Sequence, residues 1–112
     1  MADNECVLEI RLFTVKPGTR EEFHRISAEG TIPLMRKCDI DVVAFGPSLN
    51  NEDGYYLIRA FDSEEHRISH SQVLYNVPEW EEFDKPVGDM IVDYHTTVVP
   101  TSRQAVAQFQ NA

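Results

Sequence analysis

Four stretches of this chain read as β-strands, and helix-start signals open the first and third of the gaps between them, an order that few folds can satisfy. Val7-Leu8-Glu9-Ile10-Arg11-Leu12-Phe13 alternates apolar with charged residues, the period of a strand whose two faces meet different surroundings. It stops at Lys16-Pro17-Gly18, where proline fixes φ and glycine relaxes it. Thr19-Arg20-Glu21-Glu22 then has the spacing of a capping box, with Phe23, Ile26 and Ser27 following on one helical face. Gly30 and Pro33 are expected to break that helix, leaving a short second turn through Leu34-Met35-Arg36-Lys37.

Ile40 to Leu49 is β-branched and aromatic enough for the second strand, with Gly46-Pro47 marking a bulge or a fraying edge. The turn cluster Asn50-Asn51-Glu52-Asp53-Gly54 joins it to a third strand, Tyr55 to Phe61, as an antiparallel hairpin. Asp62-Ser63-Glu64-Glu65 supplies a capping oxygen and first-turn acids for a second helix, with Ile68, Val73 and Leu74 on its inward side. That helix should end near Asn76-Val77-Pro78, and Pro78 to Phe83 adds one more helical turn with Trp80 and Phe83 inward. Met90 to Val99 is the fourth strand, and Arg103 to Phe109 can form a short helix.

The 112 residues suit one domain over 1–100 followed by a C-terminal tail over 101–112. The expected class is α+β, a ferredoxin-like βαββαβ fold with a four-stranded antiparallel sheet. Right-handed crossovers set the strand order as fourth, first, third, second, with both helices on one face.

Alternate residues place Leu8, Ile10, Leu12, Val43, Phe45, Ile58, Ala60, Val92 and Val98 on one face, which is expected to lie under the helices. Glu9, Arg11, Phe13, Ile40, Val42, Leu57, Arg59, Phe61, Asp93, His95 and Val99 fall on the other. So many large apolar groups beside charges suit burial against a second copy better than water, so a homodimer through sheet packing is expected. Glu9 would then pair with Arg11 or Arg59, and Asp93 with a neighbouring arginine.

A net charge of −9 would repel phosphate backbones and anionic lipid, so neither nucleic acid nor a membrane is an expected partner. No run approaches the roughly 20 apolar residues of a membrane span, and the opening Met1-Ala2-Asp3-Asn4-Glu5 is acidic where a secretion signal is basic. A cytoplasmic location follows as the expectation. In that reducing setting Cys6 and Cys38, far apart and without C-x-x-C spacing, read as thiols rather than a bridge or a zinc site.

Glu9-Ile10-Arg11, Lys16-Pro17-Gly18, Ile32-Pro33-Leu34-Met35-Arg36-Lys37, Phe61-Asp62-Ser63 and Pro78-Glu79-Trp80-Glu81-Glu82-Phe83 stand in this order along the chain. In these segments the sequence resembles the NIPSNAP family of the dimeric α+β barrel superfamily, over about Val7 to Val99. The resemblance implies a ferredoxin-like fold, a homodimer built by sheet packing, and a small domain of undetermined biochemical role. Relatives elsewhere in the superfamily include cofactor-free monooxygenases, haem-degrading enzymes and small isomerases. The family has no agreed catalytic set to carry over, and Phe13 stands where a tyrosine is sometimes expected.

His95 with Tyr94 and Asp93, near Glu9, Arg11 and Arg59, is the polar cluster with the outline of proton-transfer chemistry. Its plainer reading is a charge network that fixes dimer register, since buried pairs more often serve structure than reaction. His66 and His70 stand one helical turn apart, but two imidazoles alone do not make a metal site. Tyr55, Tyr56, Tyr75 and Trp80 can line a hydrophobic pocket or simply form core. No glycine-rich phosphate loop or nucleophile elbow is present, so no cofactor is implied. The expected role is binding of a small hydrophobic or anionic ligand; the alternative is a cofactor-independent monooxygenase or isomerase.

Overall fold

The computed structural model describes residues 5–110; residues 1–4 of the acidic opening and 111–112 of the tail lie outside the described residues. Strands β1 (Glu5–Val15), β2 (Asp41–Pro47), β3 (Gly54–Phe61) and β4 (Ile91–Ser102) form one antiparallel sheet in the order β2-β3-β1-β4. This is the ferredoxin-like arrangement and strand order expected above. Central β1 sets Glu9 opposite Arg59 on one side and Val98 on the other.

The first helical segment does not break at Gly30 and Pro33. Helix α1 (Arg20–Ile26) passes through a π turn (Ser27–Thr31) directly into α2 (Ile32–Lys37). Pro33 has no N–H and its ring would clash with the carbonyl four residues back. The wider turn shifts the register, so that the Ile32 amide donates to the Ser27 carbonyl five residues away. Gly30 is required by packing, because a Cβ there would sit well inside van der Waals contact with the Phe83 ring. The capping box is also absent: Thr19 donates its hydroxyl to the Lys16 carbonyl at 2.7 Å, closing the Pro17-Gly18 turn, and makes no cap bond. Glu22 pairs with Arg25 instead.

Helix α3 (Glu64–Asn76) begins as read, with the Ser63 hydroxyl accepting the His66 amide at 3.1 Å. Its inward side differs. Leu74 is wholly buried, but Ile68 and Val73 are about half exposed, at 48% and 53%. The sheet-facing turns carry Arg67, Ser71 and Leu74 in spacing i, i+4, i+7, so two polar residues hide the stripe from an apolar count. After a 3-10 turn (Pro78–Trp80), helix α4 (Glu81–Met90) runs past Phe83 and carries Pro86 within it. Helix α5 (Arg103–Gln110) folds back on the sheet: Val106 packs with Cys6, Val43 and Ala60, while Arg103 reaches Asp41 at 3.0 Å and Asp62 at 2.6 Å. Both described cysteines are free thiols.

The face beneath α1 to α4 is the opposite of the one expected. Ile32, Leu34 and Met35 pack on Ile40, Val42, Leu57, Phe61 and Leu74, with Phe13 and Phe45 at the margin, so the mixed Glu9–Arg11–Phe13 set points at the helices. Leu8, Ile10, Leu12, Tyr56 and Ile58 share the open face, where Leu12 is 52% exposed. Two further assignments fail for local reasons. In β2 the register shifts between Val42 and Ala44, which brings Val42 and Phe45 to one face although strict alternation separates them. In β4, pairing sets His95 opposite Leu12 and Tyr94 opposite Phe13, so Asp93, His95 and Val99 go with the open face and Val98 with the covered one.

Candidate functional site

Glu9 is 1% exposed and Arg59 fully buried, and their side chains meet at the centre of the covered face, Arg59 Nε donating to Glu9 Oε1 at 2.6 Å. Arg67 reaches down from α3 to the other carboxylate oxygen at 3.0 Å, tying that helix to the sheet. Burial pushes the Glu9 carboxyl up, but the hydrogen bond and charge of Arg59, joined by Arg67 and Arg11, outweigh it and hold the group below its ordinary value. Arg59 Nη1 lies 3.9 Å from the Met35 sulfur, its guanidinium stands 5.5 Å from the Phe61 ring centre, and Nη2 is buried without a partner. This network lies within a single chain, under its helices, so the expectation that Glu9 and Arg59 fix the register of a dimer is corrected. It also leaves the covered face with more guanidinium than carboxylate.

Beside it, between sheet and helices, opens a cavity of about 630 Å³. Arg11, Phe13 and Tyr94 form its sheet wall, Ser27, Thr31 and Met35 face it from the first helical segment, and Tyr75, Trp80 and Val87 close the far side. Volume and lining are those of a small-molecule site, mostly apolar with a few polar groups. Tyr75 and Trp80 meet edge to face at 5.0 Å. The Arg11 guanidinium lies 5.5 Å from the Phe13 ring centre and 5.6 Å from that of Tyr94. Its one hydrogen bond among the described residues is Nη1 to the Tyr75 hydroxyl at 2.9 Å, and Nε is buried with no partner. Glu81 and Asp84, both exposed, line the cavity's outer part.

Glu9, Arg11, Arg59 and Tyr94 therefore share the covered face, and Arg11 and Tyr94 reach the cavity. His95 does not join them. It projects from the open face, its side chain 79% exposed, 3.6 Å from Asp93; Asp93 thus faces an imidazole rather than an arginine. Tyr55, Tyr75 and Trp80 line the cavity as expected, whereas Tyr56 lies on the open face. His66 and His70 meet edge to face with ring centres 3.9 Å apart, and His66 Nδ1 accepts the Asp62 amide. Among the described residues no three His, Cys, Asp or Glu side chains gather as a cation site needs, and no helix is long and apolar enough to cross a membrane.

Sequence reasoning missed Ser27 and Thr31, both more than nine-tenths buried, and the pair His24–Tyr55, whose Nδ1 and hydroxyl lie 2.7 Å apart. Burial pushes the Tyr55 phenol up to about 12. A wide turn forced by Gly30 and Pro33 was the available signal for the two hydroxyls, since π turns frequently accompany functional sites.

The family model described as NIPSNAP matches residues 8–103. Among solved structures, a NIPSNAP family protein from Agrobacterium tumefaciens superposes with TM-score 0.84 at 11% identity, covering 96% of this chain and 95% of that one. Another from the same organism, of unknown function, gives TM-score 0.82 at 19% identity, covering 91% and 93%. A proposed antibiotic biosynthesis monooxygenase from Nitrosomonas europaea gives 0.61 at 13% identity, covering 91% and 93%. At these identities the likeness is one of fold. No curated protein matches the sequence.

Proposed function

This chain belongs to the NIPSNAP family, and from that premise we propose that it is a cytoplasmic homodimer that binds a small hydrophobic anion between its sheet and its helices. The observation that carries this reading is Arg11: a guanidinium on the wall of an aromatic cavity, bonded among the described residues to one phenol and to no carboxylate. An arginine has five N–H donors. One left this short of protein acceptors on an aromatic wall favours a ligand carboxylate or enolate, which its planar fork binds well. On the face away from α1 to α4, which α5 covers in part at Leu8 and Ile58, the exposed Leu12 and half-buried Ile10 support pairing of two such faces, and the free cysteines support a reducing compartment.

Arg11→Met keeps the bulk and removes the charge. Titrated with 2-naphthoate and followed by Trp80 fluorescence, the variant is expected to bind about 10- to 100-fold more weakly, the value of a charge-assisted hydrogen bond. Neutral 2-naphthamide should bind both proteins alike. Equal affinity of the acid for wild type and variant would remove Arg11 from the site.

A cofactor-independent monooxygenase or isomerase is the second reading, favoured by one specific feature. The cavity reaches Tyr94 and also Tyr55, whose hydroxyl is hydrogen-bonded to His24. A phenol–imidazole pair at a cavity wall can carry a proton away from a bound acid. His95 has no part in that arrangement.

A further inference from the structure

Resting on the reading of the cavity as an anion site, we propose that Thr31 is its second polar contact, and that the ligand is an aromatic monocarboxylate bearing a neutral hydroxyl or carbonyl oxygen at the end away from the acid. Thr31 is 5% exposed and lines the cavity from the helical side, across from Arg11 on the sheet. Its hydroxyl makes no hydrogen bond among the described residues. Ser27, one turn earlier, donates to the Phe23 carbonyl at 2.8 Å, the usual way a helical hydroxyl is satisfied. Thr31 makes no corresponding bond to the Ser27 carbonyl, which accepts the Ile32 amide in the π turn. A hydroxyl that lines the cavity without such a bond can both donate to and accept from a ligand.

The rest of the wall narrows the ligand class. Phe13, Phe23, Tyr55, Tyr75, Trp80 and Tyr94 offer ring faces and edges, which suit a flat aromatic body. Glu81 and Asp84 stand on the same wall and would repel a second negative charge, so the far polar group is neutral.

The test compares 6-hydroxy-2-naphthoate, 2-naphthoate and 2,6-naphthalenedicarboxylate by calorimetry on wild type and Thr31→Val, which keeps the side chain's shape. Wild type is expected to bind the hydroxy acid about tenfold more tightly than 2-naphthoate, the value of one net hydrogen bond, and to bind the diacid more weakly than either. Thr31→Val should abolish the hydroxy preference and leave 2-naphthoate unchanged; if valine impairs folding, Thr31→Ala is read in the same way. No hydroxy preference in wild type, or equal weakening of both monoacids by the substitution, overturns the role of Thr31, while 2-naphthoate binding that depends on Arg11 keeps the anion site standing. Failure of wild type to bind any of the three overturns both.

Discussion

Replacing Glu9 by alanine is expected to destabilise the folded protein by about 3–5 kcal/mol, the usual effect of removing one member of a buried ion pair. Arg59 is fully buried and among the described residues has no other carboxylate within salt-bridge distance, so its charge would be left in the core beside Met35 and the Phe61 ring. Arg67 would lose its tie to the sheet and keep Glu64. Arg59→Met should cost less, because Glu9 then retains Arg67 and an apolar side chain replaces the buried cation. Urea unfolding at neutral pH measures both; a loss below about 1 kcal/mol for Glu9→Ala would show that the network is not held as described.

The same carboxylate gives the fold an acid dependence of definite sign. Its folded-state value lies below the ordinary 4.5, so the folded protein holds on to the ionised form more strongly than the unfolded chain does. The stabilisation is therefore fully present above the unfolded value and disappears as pH falls through the folded one. Wild type should lose stability faster than Glu9→Gln as pH is lowered from 6 to 3.

Ile10→Glu is expected to raise the dimer dissociation constant by more than 100-fold. Ile10 sits at the centre of the open face, paired with Ile58 on one side and Thr97 on the other. In a pair of stacked sheets related by a two-fold axis, the substitution buries two carboxylates without partners, an arrangement worth several kcal/mol of penalty. Sedimentation at micromolar concentration should give the mass of two chains for wild type and of one for the variant. A wild type that sediments as a single chain would end the proposal of paired faces. Arg59 does not serve this experiment, since it faces the helices and a substitution there acts on folding.

The element order, the four strands and their positions in the sheet were legible because period, turn residues and chain length agree on one topology. Which face the helices cover was not. Leu8, Ile10 and Leu12 form the cleaner apolar stripe, yet the helices lie over Glu9, Arg11 and Phe13, because Glu9 finds Arg59 and Arg67 only in the folded chain. A period of two groups residues by face without saying which group is inside when both are partly apolar. The bulge in β2 and the register of β4 then placed Phe45 with Leu57 and Val42 rather than with Leu8, and His95 with Leu12 rather than with Glu9. Of the candidate site, Arg11, Tyr94, Tyr55, Tyr75 and Trp80 could be named from the sequence. Thr31 could not, since Gly30 and Pro33 read as a break rather than as the continuous helical segment that brings Thr31 to the cavity.

The placement of an anion between sheet and helices is tested most directly by a nitrogen-15 amide spectrum of the intact chain titrated with 2-naphthoate. The largest shifts should fall at Arg11, Phe13, Thr31, Trp80 and Tyr94, around the cavity. Shifts confined instead to Leu12, Tyr56 and His95 would put the ligand on the open face and contradict the site.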